Sequence, residues 1–399
     1  MYRFSRLEGF VHPSYNGRIV SRTLEDCRIN NSSPSLIVNI DGKVNFVDVQ
    51  VEEETESCIT FKPSDSSLTK VKVTKQPFSI DILASIDDQR YVSVFGGVKF
   101  ARRDTDKQAT NVVFDYGNNS NETMKSLVND WYGLGEKANS MKKNGSKYLF
   151  WNWDSFAYVS ETDPLYQSIP FGIMASKLET APGKTERRFN GLYIDNYGLQ
   201  QWDLTKIDSF SANLESLPCN MYFMATNSKS PFEVSKAYEN LTGTNPMVPL
   251  WVLGYHQCRW SYYPDTQVKS IAQEFRDRDI PCDVIYLDID YMDGYRDFTW
   301  SPTDFPQPRE LLKWLHDRKY KVVTILDPGV KVDPNYEVYK TGVEGGHFCA
   351  YPNGKLYEGH VWPGATHMPS YTSAPVRKWW ADWYKGLIED GVDGFWNDM

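Results

Sequence analysis

From residue 251 onward, short apolar runs alternate with amphipathic stretches, and this rhythm restricts the fold more than any other feature of the chain. WVLGYHQ, residues 251–257, reads as a largely apolar strand. A helix is expected next, with Val268, Ile271, Ala272 and Phe275 on one stripe and Pro281 closing it. DVIYLDI, residues 283–289, reads as a second strand. A second helix starts near Pro308, a residue suited to a first helical turn, and buries Leu311, Leu312 and Leu315. KVVTILD, residues 321–327, reads as a third strand. An irregular segment, 328–373, precedes a third helix opened by Pro375, with Val376, Trp379, Trp380, Trp383 and Leu387 as apolar positions. The last run, 392–396, is a fourth strand leading to Asp398. Strands and helices in this order predict a parallel α/β sheet.

The chain ahead of Pro246 and Pro249 reads differently. Residues 35–54 hold two β-rich runs around Asp41-Gly42, a hairpin signal. Residues 68–86 alternate apolar and polar, and 91–101 suggest another strand pair. Short strands with polar turns predict a β-sandwich, continuing with longer loops to about residue 244. The region from Asn245 has 155 residues, against about 250 for a closed eight-stranded barrel. Its four strands make either a small open sheet or the first half of a barrel. Parallel strands are buried on both faces, so an open sheet would finish on a covering helix. None follows residue 396. The expected fold is therefore an all-β sandwich domain, residues 1–244, followed by a TIM-type α/β barrel. Residues 245–399 would be its first half, truncated after strand four.

A net charge of −9 lacks the basic field that holds nucleic acid. No apolar run approaches the roughly 18 residues of a membrane span. The N-terminus has no signal-peptide core, while acceptor patterns at Asn30, Asn31, Asn118, Asn121, Asn144 and Asn240 suit a secretory route, so the compartment stays open. Six scattered cysteines without a CxxC pair read as free, mostly buried thiols. Aromatic residues at 15% suit flat sugar faces and also large β cores.

Polar clusters follow every strand of the second region: His256, Cys258, Arg259 and Trp260, then Asp288, Asp290 and Asp293, then Asp327, then Asp398. A barrel presents its catalytic groups at the C-terminal strand ends. The strand period of two would put Asp288 and Asp290 on one face. DIDYMDG, from Asp288, resembles a calcium loop but has Thr299 where the closing Glu belongs, so no metal is expected. The GxGxxA match at Gly133 lacks a preceding apolar strand and a following helix, which argues against a dinucleotide. No HExxH and no GxSxG occur. Carboxylate chemistry remains, and paired carboxylates point to glycoside hydrolysis, with the two groups about 5 Å apart in retaining enzymes. Arg259 is a candidate cation to keep the nucleophile ionised.

The motifs then show a resemblance. YGLGEK (132–137), FWNWD (150–154), SIPF (168–171), LGYHQCRW (253–260), DVIYLDIDYMDGYRDFTW (283–300), DPGV (327–330), VWPG (361–364) and GFWNDM (394–399), in this order, resemble glycoside hydrolase family 31, the α-glucosidase family. The likeness implies a retaining hydrolase releasing terminal α-linked glucose, without cofactor, with Asp398 as nucleophile. By the same likeness Asp288 and Ile289 grip the terminal glucose. Trp260, Val330 and Trp362 are hydrophobic walls, and Trp396 and Met399 are neighbours of the nucleophile. Asp154, by its loop alone a capped turn, matches a residue of the N-terminal domain that reaches over the barrel mouth. The family's acid/base Asp lies downstream of its nucleophile, so the resemblance implies a fragment that is inactive by itself. Other activities of the family, such as α-xylosidase or transglycosylase, and a non-catalytic carbohydrate-binding product are the alternatives.

Overall fold

Alternating side-chain burial builds the N-terminal unit. In Ser209–Leu214, Phe210, Ala212 and Leu214 point inward while their neighbours do not, the period-two pattern of a strand with one wet face. The computed structural model describes residues 2–4, 35–40, 43–63, 69–74, 79–87, 90–95, 99–102, 110–115, 129–181, 183–206, 209–215 and 220–399. By its contacts the chain divides into two compact units, Met1–Asn245 and Pro246–Met399.

The first unit is antiparallel throughout its described pairings. Six strands from Ser35–Ile40 to Arg90–Phe95 pair in chain order as a meander. Ile40 pairs with Lys43, so a two-residue hairpin joins the first two strands; Asp41 and Gly42 themselves lie outside the described residues. The 91–101 pair is corrected: Arg90–Phe95 closes the meander, whereas Lys99–Arg102 pairs with Thr110–Asp115 in another sheet. Two five-stranded sheets follow. Trp131 of one meets Trp202 and Phe210 of the other at ring distances of 6.1 and 5.1 Å, all three buried. This aromatic layer is the core of a sandwich. Gly133 ends its strand with φ 88, and no helix follows Ala138, so the GxGxxA match is a turn.

The second unit holds four parallel strands in the order of the chain: β1 (His256–Gln257), β2 (Val284–Leu287), β3 (Lys321–Leu326) and β4 (Gly394–Asn397). Helices α1 (Asp265–Asp277), α2 (Pro308–Asp317) and α4 (Ala374–Asp390) make the crossovers, and α3 (Glu337–Glu344) lies between β3 and α4. Sequential neighbours without a reversal of strand order are barrel-type winding, since a doubly wound sheet reverses at its switch point. The predicted stripes face the core: Val268 and Ala272 on α1, and Leu311, Leu312 and Leu315 on α2, are buried.

Four details differ from expectation. Leu250–Leu253 is a 3₁₀ turn, so strand one shrinks to two residues; Pro249 opens the turn and Gly254 ends it. Helix α1 ends at Asp277, before Pro281, with Asp279 in the left-handed region at φ 53. The 328–373 segment is ordered: Val330–Lys331, Gly364–His367 and Glu358–Val361 form a small antiparallel sheet. Its core, with α3 and α4, includes Val330, Tyr336, Val338, Phe348 and Trp380. Of the four described cysteines, all free, only Cys282 is buried and Cys258 is exposed.

Candidate active site

The two rims of the parallel sheet treat their acids in opposite ways. At the N-terminal rim, Asp393 precedes β4 and is fully engaged. Its Oδ1 accepts from Lys321 Nζ at 2.7 Å, and its Oδ2 accepts from the Val322 amide at 2.9 Å and pairs with His316 Nε2 at 2.7 Å. Burial works against its charge, but Lys321, the amide and His316 hold its carboxyl below the usual range. Asp393 thereby fastens β4 to β3.

At the C-terminal rim, Asp288, Asp327 and Asp398 follow β2, β3 and β4. The registers Leu287↔Thr324 and Leu326↔Asn397 set these exits side by side, and the Asp398 amide donates to the Leu326 carbonyl at 3.2 Å. Burial raises Asp327 to about 6, with the charges of Asp398 and Asp288 adding to it. Burial also raises Asp288, helped by the charges of Asp290 and Asp398, against a hydrogen bond that the Ile289 amide donates to its Oδ1 at 2.7 Å. Among the described residues, no cation pairs with any of the three. Like charges gathered in this way oppose folding, which makes the cluster a candidate site.

Behind the cluster lies an acid that the sequence reading missed. Asp297 is 1% exposed; its Oδ1 accepts from the Asp327 amide at 3.1 Å, and its Oδ2 has no partner. Burial and the nearby Asp327 push its carboxyl far above the usual range. The available signal was its place in an aromatic run, Tyr295 to Trp300, where a charged group has little water.

The expected site residues separate into groups. Asp288 does not share a strand face with Asp290, because β2 stops at Leu287 and Asp288 caps a 3₁₀ turn, Ile289–Tyr291. Asp290 instead accepts from Trp260 Nε1 at 3.0 Å. Asp293 turns outward to Arg296. Trp260 lies against Trp362, ring centroids 5.8 Å apart. Trp362 and Pro363 are the two-residue tip of the hairpin closed by Val361↔Gly364. Trp396 on β4 is half-buried and meets Tyr286 edge-on; Met399 is exposed. Ile289 and Val330 are buried, at 3% and 0% exposure. Val330 belongs to the core of the 328–373 segment, an excursion between β3 and α4, so its side chain offers no wall surface. Arg259 is also corrected: its guanidinium sits over the Tyr262 ring at 5.8 Å and pairs with none of the acids. In the other unit, Asp154 is exposed on an irregular loop, where partial burial and its carboxylate push the Tyr166 phenol up.

Comparison with known proteins identifies the family and the fold. The family model for the glycosyl hydrolases family 31 TIM-barrel domain matches residues 245–399. The model for the glycosyl hydrolase 31 N-terminal galactose mutarotase-like domain matches 20–197. Alpha-glucosidase 2 of Bacillus thermoamyloliquefaciens is 40% identical over 69% of this chain and 34% of its own. Neutral alpha-glucosidase AB of Sus scrofa is 33% identical over 67% and 30%. A glucose-bound GH31 dextranase of Flavobacterium johnsoniae superposes with a TM-score of 0.73 at 28% identity, covering 93% of this chain and 42% of that one. The chain thus spans about a third of the length of the curated relatives it matches.

Proposed function

Because this chain belongs to glycoside hydrolase family 31, we propose that the protein carrying it is a retaining hydrolase that releases terminal α-linked glucose from oligosaccharides or α-glucans. The observation that carries the reading is the cluster of Asp288, Asp327 and Asp398, paired with no cation among the described residues, at one rim of a barrel-type sheet. The names of the relatives support the substrate class, since α-glucosidases and a dextranase share the α-glucosyl bond.

In this reading Asp398 attacks the anomeric carbon and forms a glucosyl ester, which water then cleaves. A second carboxyl must protonate the leaving oxygen; Asp288, Asp290 and Asp327 are not assigned that role. Asp288 accepts hydrogen bonds from the terminal glucose beside Ile289. Trp260, Trp362, Trp396 and Met399 bound the pocket, and Val330 supports the Trp362 hairpin from within. Burial and the charges of Asp398 and Asp288 raise Asp327 to about 6, so below that pH it is mostly protonated and adds less negative charge beside Asp398.

A slow fluorinated α-glucosyl fluoride tests the assignment. We expect a stoichiometric covalent glucosyl label on the peptide containing Asp398, seen by mass spectrometry. Asp398→Ala lowers kcat on an aryl α-glucoside by about 10³-fold or more. A label on another carboxylate would refute the assignment.

A further inference from the structure

Two indoles meet beside the carboxyl cluster, brought from distant parts of the chain. Trp260 stands on the loop after β1, and Trp362 at the tip of the excursion hairpin. Their planes are inclined by 40° at a centroid spacing of 5.8 Å. That is contact, so the rings form one continuous wall, not a slot. Both side chains remain largely exposed, Trp260 at 63% and Trp362 at 51%. Packing alone therefore does not fix the Trp260 rotamer. A hydrogen bond does: its Nε1–H donates to Asp290 Oδ2 at 3.0 Å. The other Asp290 oxygen, Oδ1, accepts from the Tyr295 hydroxyl at 3.4 Å. Tyr295 has φ 60, a left-handed backbone that a bulky side chain adopts only where the surrounding turn imposes it. Both oxygens of Asp290 are thus used for orientation.

We propose that Asp290 is a positioning residue for sugar recognition: by accepting from the Trp260 indole it holds Trp260 against Trp362. The joined wall, already given to the pocket by the family resemblance, then meets the apolar C–H face of a bound pyranose ring. The placement of that ring follows from depth. Of the acids, Asp327 is buried, Asp288 half-buried and Asp398 exposed, so a sugar ring that meets all three extends outward to the level where both indoles face solvent. This inference rests on the α-glucosidase reading of the site.

Steady-state kinetics of the protein carrying this chain, on an α-linked glucose disaccharide, provide the test. Asp290→Ala raises KM about tenfold, with a far smaller change in kcat, as expected for losing one charge-assisted hydrogen bond in binding. Asp290→Asn, whose amide oxygen still accepts the indole N–H, recovers most of the affinity. Trp260→Phe lacks the donor and raises KM comparably, and in that background Asp290→Ala adds less than twofold. Circular dichroism confirms the fold of each variant. Equal Asp290→Ala effects in both backgrounds, an Asn variant as impaired as Ala, or an unchanged KM would each overturn the proposal. No hydrolysis of any α-glucoside by the unaltered protein would sink the functional reading and this one together; hydrolysis with Asp290 uncoupled from Trp260 sinks this one alone.

Discussion

Burial beside two like charges lifts the Asp327 carboxyl to about 6, while an Asp in an unfolded chain titrates near 3.9. The native state therefore binds this proton more tightly than the unfolded one. The stabilising contribution of that proton is complete below about 3.9, shrinks as pH rises, and is lost above about 6. Asp327→Asn keeps the shape and removes the charge. Calorimetry should show a higher thermal midpoint for the variant than for the native protein at pH 7.5, with the gap narrowing as pH falls through about 6 and closing below about 3.9. A gap independent of pH would contradict the assignment. The sequence showed Asp327 only as one more acid at a strand end; its burial and its contact with Asp297 depend on how the 293–298 turn folds back, which no spacing rule encodes.

Gly254 illustrates how tightly the first crossover is built. Its φ of −84 is open to any residue, but a Cβ there would collide with the Asp283 carboxylate, whose Oδ2 accepts from the Tyr255 amide at 3.2 Å. Gly254→Ala should lower stability by roughly 1–3 kcal/mol through overpacking, measured by denaturant unfolding. An unchanged midpoint would show that the carboxylate swings aside freely. The helices were readable because apolar positions such as Val268, Ile271, Ala272 and Phe275 recur at helical spacing over about two turns. The short elements were not. Val330–Lys331 spans two residues and its partners four each, too few for a period to register. Likewise β2 was read as far as Ile289, because nothing in the sequence announced that Asp288 would cap a turn instead of continuing the strand.

The pattern of the sequence changes at Pro246 and Pro249, and by its contacts the chain divides between Asn245 and Pro246. Residues 242–250 are exposed, and 243–249 carry no regular structure. Limited proteolysis of the protein carrying this chain should therefore cut within 243–249 before it cuts β2 or β3, as read from fragment masses. Early cuts inside residues 284–326 would contradict the described packing. The separation of the sheet's two rims has one more consequence. The links through Asp393, Lys321 and His316 fasten one side, so the opposite side is free to diverge. Descendants of this chain can exchange Asp288, Trp260 or the Trp362 hairpin for other recognition chemistry without loosening the strands beneath, which makes new specificities accessible through few and individually tolerable changes.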